Sequence, residues 1–232
     1  MRVGLAGVVI YLVFDRLATV LGSLRGEWGV VVGAVVLLLT LGAERLLSEK
    51  SYSQCVQAMG LGAPGAAALT AAGALSAGLI AGLPLMARLT GAGLEVRDGA
   101  AALAIGMFAQ GGVAEEAIFR GFMYRHLRRT RGFWSAACVA AVPFVLAHIP
   151  LFFTLAPAIA ALSVAIAVAL SFPLAWLFDR AHGAIWPGAV LHATIQGGIK
   201  VLVDDAPAFN DLALVWGMAV LIAPWLLFLL RE

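Results

Sequence analysis

Charge is what this chain has least of. Only 12% of its 232 residues are Asp, Glu, Lys or Arg, and Lys50 and Lys200 are the only lysines. A soluble domain carries about 25% charged residues, so a water-facing globular enzyme is excluded. Cysteine is scarce too. Cys55 and Cys138 stand alone without CxxC spacing, which excludes a disulfide framework and leaves two unpaired thiols. Three catalytic signatures are missing. The sequence has no H-E-x-x-H zinc motif, no G-x-S-x-G nucleophile elbow and no phosphate-binding loop. It has no low-complexity tract or soluble-type repeat, and nothing in it suggests a nucleic-acid partner.

What is present in excess is apolar surface. Hydrophobic residues make up 62% of the chain and the mean hydropathy is +0.99. At about 20 residues per crossing, the length accommodates an all-α polytopic membrane protein, a bundle of about eight transmembrane helices. It leaves no room for a separate soluble domain, so residues 1–232 are read as one integral membrane domain. The N-terminus resembles a signal peptide, with Arg2 before an apolar run. However, Asp15-Arg16 interrupts the run and no A-x-A site follows, so it is read as a retained first span.

The expected spans are 3–24, 28–47, 66–89, 99–124, 133–149, 155–178, 184–203 and 212–230. Ser51–Pro64, with Gly60, Gly62 and Pro64 as breakers, is too short to cross and reads as an interfacial segment. Of the 15 Lys and Arg residues, ten fall on the N-terminal side, four on the other and Arg16 within a span. That asymmetry predicts both termini in the cytoplasm, with a bacterial plasma membrane as the expected location.

The stretch that most needs explaining is Ala114-Glu115-Glu116-Ala117-Ile118-Phe119-Arg120-Gly121. An ionised carboxylate at mid-bilayer costs roughly 2.5–3.5 kcal/mol even on lenient scales, so intramembrane ionisable residues are functional candidates. Glu116 and Arg120 are four apart and share a helix face, acid first, which is the favourable order. Glu115 points about 100° away on an α-helix. The expectation is that Arg120 neutralises Glu116 while Glu115 faces something else.

Two histidines belong to the same problem. His148 precedes Pro150 at a helix break, and His192 lies four residues before Gln196 on the seventh span. Counting from the hairpin near Thr130, Glu115 and His148 both lie about 22–27 Å away at 1.5 Å per residue. His192 reaches their level if the arginine-rich hairpin stands about 10 Å clear of the membrane face. His126 and His182 fall in polar segments and are read as solvated. A carboxylate in apolar surroundings is a stronger base than in water, and His148 could share the proton of an activated water. His192 and Gln196 could donate N–H groups to a developing oxyanion. That is equipment for hydrolysing an amide. The same Glu115, His148 and His192 could instead form a two-His, one-carboxylate metal site. The metal-free reading is preferred, and no cofactor is expected.

Three motifs in order then resemble those of a known family. Glu115-Glu116-x-x-x-Arg120 is similar to E-E-x-x-x-R. Phe144-x-x-x-His148 is similar to F-x-x-x-H. His192-x-x-x-Gln196, after Ile185-Trp186-Pro187-Gly188, is similar to H-x-x-x-N. The family is the CPBP group of intramembrane proteases, which includes type II CaaX prenyl endopeptidases and bacteriocin-processing or self-immunity relatives. The resemblance covers about Glu115–Gln196, within a family-like core of about residues 99–203.

The resemblance implies roles. Glu115 would activate water with His148 as partner. Glu116 and Arg120 would hold the site, with Phe144 packed beside it, and His192 and residue 196 would bind the oxyanion. The substrate would be a membrane-associated or lipidated protein cut near its C-terminus. The departure is Gln196, where the family has asparagine: the amide is kept, but a methylene and a rotatable bond are added. Two alternatives stand beside the protease reading. One is a non-catalytic membrane interaction or immunity protein that retains the site. The other is a small proton-coupled transporter using the same polar residues.

Overall fold

The computed structural model describes residues 2–21, 25–202 and 208–230. The expected ends of the first and seventh spans, residues 204–207 of the last loop, and Arg231-Glu232 lie outside them. Described residues form helices and turns, with no strand among them. We number the helices α1 (Arg2–Val20), α2 (Arg25–Leu47), α3 (Tyr52–Ala58) and α4 (Ala66–Thr90). Next come α5 (Ala100–Arg128), α6 (Phe133–Leu146), α7 (Pro157–Arg180), α8 (Trp186–Leu202) and α9 (Phe209–Ile222). Short 3-10 segments, Ile149–Phe153 and Ala223–Leu229, continue α6 and α9, each with a proline in its first turn.

Seven of these helices are long and apolar enough to cross a membrane: all except α3 and α8. The seventh expected span, α8, has 17 described residues. The outer surface is studded with exposed leucine, isoleucine and valine, among them Leu5, Leu38, Leu85, Ile105, Leu146 and Leu226. Glu44, Glu115, Glu116, Arg120 and His192 are buried inside. A surface that is apolar outward with charge inward suits lipid and not water.

α5 is the central helix. Two thirds of its apolar stretch, 67%, is buried, against 17–39% in the other six spans. Small residues let its neighbours come close. A Cβ added at Gly29 of α2 would collide with the Gly106 backbone, and one at Gly112 would reach the Ala189 carbonyl oxygen of α8 at 2.8 Å. α5 is also not a uniform α-helix. Phe108–Ala114 and Ala117–Tyr124 are wound as π-helix, with Glu115-Glu116 between them. Such wide turns are uncommon and concentrate at functional sites.

The remaining helices hold α5 and α8 in register. α4 and α8 share a core of Leu79, Leu83, Leu191 and Ile195, and Trp216 of α9 donates its indole N–H to the Ile195 carbonyl at 3.0 Å. Instead of lying only at the interface, the segment after α2 plugs the bundle. Ser51 and Gln54 form a capping box that starts α3, and Met59 behind it is fully buried. Gly60, at φ 80°, turns its carbonyl to accept the Ile185 N–H at 2.9 Å just before α8. A side chain there would be strained and would collide with Gly183.

His126 departs from its sequence reading. It is half-buried, its Nδ1 2.8 Å from the Phe122 carbonyl and its Nε2 3.5 Å from Glu44. The continuous helix through Tyr124 carries it back over the end of α2. His182 is exposed, as expected. Asp15 of α1 accepts from Tyr11 on its own helix at 3.4 Å.

Candidate active site

Glu115 and Glu116 differ in sequence by one step and in surroundings completely. Arg120 Nη1 donates to Glu116 Oε1 at 2.9 Å, and the Nδ1 of His192 lies 2.9 Å from the same oxygen. The other oxygen, Oε2, rests on α8 where Gly188 leaves room: a Cβ there would approach it to 2.8 Å. An ionised carboxylate only accepts, so Nδ1 carries the hydrogen in this pairing. The Nε2 of His192 then faces Glu115 Oε2 at 3.7 Å, too far for a direct hydrogen bond and suited to a shared water. One imidazole is thus flanked by both carboxylates. In a π-helix, five-residue closure puts more residues in each turn than in an α-helix. Glu115 and Glu116 are themselves α-helical and sit between two such segments, and both reach the same ring.

His148 owes its orientation to the helix break at Pro150. The last turn of α6 tightens, and the His148 backbone N–H bonds Val145 O at 2.9 Å instead of the residue four back. The Phe144 carbonyl is left without its helical partner, and the His148 Nδ1 takes it at 2.8 Å. A carbonyl only accepts, so Nδ1 is the protonated nitrogen and Nε2 is the acceptor. The ionisable side chains acting on this ring are Glu115, His192 and Arg120. Phe144 sits at the centre of the cluster. Its ring meets His148 edge-on at 5.0 Å and His192 at 5.7 Å, and the Arg120 guanidinium lies 4.7 Å over its face.

Gln196 lies against α5 at Gly111. A Cβ at that glycine would collide with the Gln196 amide, so the absent side chain at 111 is what admits the longer residue at 196. All seven sequence-predicted residues therefore line the α5–α6–α8 junction. The level of the histidines also has a structural reason. Gly121 is in contact range of Ile185, one residue before α8 begins. The nine residues from there to Thr130 carry the basic hairpin about 13 Å further out at 1.5 Å per residue.

Two neighbours escaped the sequence reading. Tyr11 of α1 lies within electrostatic range of Glu115, which no local spacing could indicate. Gln110 of α5 is 7% exposed and is taken up below. As for a metal, among the described residues no three His, Cys, Asp or Glu side chains are arranged to hold one. Glu116 holds Nδ1 of His192 and the Phe144 carbonyl holds Nδ1 of His148, which leaves Nε2 of each ring available.

The fold and the site define a polytopic membrane protein with a buried glutamate–histidine centre at the junction of three helices. Residues 97–197 match the family model described as Rce1-like, type II CAAX prenyl endopeptidase. That segment is similar to the CPBP/CAAX family of intramembrane proteases, and every site residue named above except Tyr11 falls inside it. No curated protein matches the chain.

Proposed function

We propose that the chain is a glutamate-type intramembrane endopeptidase that cuts a membrane-associated or lipidated protein near its C-terminus. The observation that carries this is the pair of imidazoles around an uncommitted carboxylate. Among the described residues neither Glu115 nor the His148 acceptor nitrogen has a hydrogen-bond partner, and His192 turns Nε2 towards Glu115 at 3.7 Å. A water held between Glu115 and His148 loses a proton to the carboxylate as its oxygen attacks the scissile carbonyl. His192, with Nδ1 fixed by Glu116, presents Nε2 to the reacting groups. When that nitrogen carries a proton it donates to the developing oxyanion together with the Gln196 amide, and the proton taken from water passes to the leaving amine. Glu116 and Arg120 hold the imidazole, as the orienting acid does in a hydrolytic triad. No metal takes part in this scheme, so chelators are expected to leave activity unchanged.

A lipidated substrate suits the surface. An apolar groove of about 320 Å³ runs between α6 and α7, lined by Cys138, Ala141, Val142, Val145, Leu146, Val168 and Phe172. It opens on the lipid-facing side of the helix that carries His148. Both termini are proposed to face the cytoplasm, on the charge asymmetry.

The test is cleavage of a farnesylated peptide with a C-terminal CaaX sequence, reconstituted with wild-type protein and with Glu115→Gln. Activity in the first and loss in the second is expected; equal cleavage by both removes Glu115 from the mechanism. The second reading, a non-catalytic interaction protein that keeps the architecture, rests on Gln196 in place of asparagine. It gains if Glu115→Ala and His148→Ala proteins, shown to be folded, perform the cellular role unimpaired.

A further inference from the structure

The buried polar side chains of this bundle almost all have partners. Glu44 takes Arg125 and Lys50; Glu116 takes Arg120 and His192; Thr40 and Ser171 return to carbonyls on their own helices. Gln110 is an exception. It is 7% exposed, yet among the described residues its side-chain amide has no hydrogen-bond partner. Among the described residues the fully enclosed side-chain atom without a partner is Ser76 Oγ of α4; the Gln110 amide is not fully enclosed and is left for water or a ligand to satisfy.

The π-helical winding says where this amide points. Five-residue closure over Phe108–Ala114 brings residues five apart into register. Gly111 and Glu116 are such a pair, and both face α8: Gly111 meets Gln196, and Glu116 meets Gly188 and His192. Gln110 and Glu115 are the next pair round, so Gln110 stands one turn from Glu115 on the same face. An α-helical count would have set Gly111 above Glu115 and hidden this.

We propose that Gln110 is a substrate-binding residue, whose side-chain amide hydrogen-bonds the peptide backbone of the segment lying across Glu115. The inference rests on the protease reading above. A side-chain amide offers both a donor and an acceptor, which suits the N–H and C=O of an extended peptide. A substrate backbone entering an apolar bundle leaves the water that had satisfied it, so such a partner on the wall is needed. Gln110 supplies it next to the base and opposite Gln196, across Gly111.

The experiment uses the full-length protein in proteoliposomes and an internally quenched farnesylated CaaX peptide. Gln110→Met keeps length and removes the amide; Gln110→Asn keeps an amide. The expected result is a KM raised about 10-fold in Gln110→Met, kcat changed less than about 3-fold, partial recovery in Gln110→Asn, and an unchanged thermal midpoint. A Gln110→Met protein with wild-type KM overturns the proposal. So does a lowered thermal midpoint shared by both variants, which marks a packing role. Failure of the protease reading is separated by a binding arm without turnover. Affinity for the same peptide is measured in Glu115→Gln with and without Gln110→Met. A weakening of about 10-fold supports the contact, and equal affinities overturn it whatever the cleavage assay shows.

Discussion

Two buried acidic regions of this bundle can be compared directly. At the hairpin end, Glu44 is fully buried, and Arg125, Lys50 and His126 surround it, the latter two at 3.5 Å. At the α5–α8 junction, Glu115 is nearly as buried, and its closest ionisable partner is an imidazole nitrogen 3.7 Å away. Both carboxylates are withdrawn from solvent. In the first region two cations, Arg125 and Lys50, offset this locally with the His126 imidazole beside them, and nothing is left to react. In the second the capacity is left over, in Glu115, His148, Gln110 and Gln196 together. Glu116, next in sequence to Glu115, belongs with Glu44: its Oε1 is engaged by both Arg120 and His192. Burial alone therefore does not distinguish a structural carboxylate from a working one; unspent hydrogen bonding does.

That distinction can be broken in four places. The largest effect is expected at Glu115. Glu115→Gln should lower cleavage by up to about 10⁴-fold with no loss of thermal stability in detergent, because no cation is orphaned. Glu116→Ala should do the opposite first. It leaves Arg120 buried without its counter-charge, and breaking such a pair costs about 3–5 kcal/mol, read as a lower denaturation midpoint together with lost activity. If Glu115→Gln destabilised the protein as much as Glu116→Ala, the contrast between the two would be gone.

Gly111→Ala tests placement without touching a charge. The added methyl collides with the Gln196 amide, and a displacement near 1 Å at a reacting centre costs about 100-fold. Cleavage should fall by that order while the midpoint moves little. The smallest effect is expected from Gln196→Asn. A shorter amide facing the same glycine should change kcat by no more than about 10-fold, since one donor's placement and not its presence is altered. A rise would mean that the family residue places the donor better; complete loss would mean that the Gly111–Gln196 contact is itself essential.

Much of this site was legible in the residues. The Glu116–Arg120 pair follows from four-residue spacing with the acid first, and it is present at 2.9 Å. The depth match of Glu115, His148 and His192 follows from counting along helices from a hairpin. What escaped was set by backbone closure and by distant contacts. Spacing rules assume 3.6 residues per turn, so they could not align Gln110 with Glu115, which follows from the π segment over Phe108–Ala114; that His192 sits between both glutamates was decided by the packing of α8 on α5. Tyr11 within electrostatic range of Glu115 and His126 on Glu44 relate positions 104 and 82 apart, beyond any local pattern.

The sequence by itself determined that this chain is an all-helical membrane protein, because 62% apolar composition admits no water-facing alternative. It also determined which ionisable groups are held inside, since apolar runs carry them there. Only the tertiary structure decided what each group is free to do. Whether a buried carboxylate is a brace or a base depends on which partners the neighbouring helices bring within about 3 Å, the range in which hydrogen bonds form. For Glu116 the packing of α5 on α8 brings His192 and Gly188, and Arg120 on its own helix completes the set. For Glu115, one residue earlier, no partner among the described residues comes that close.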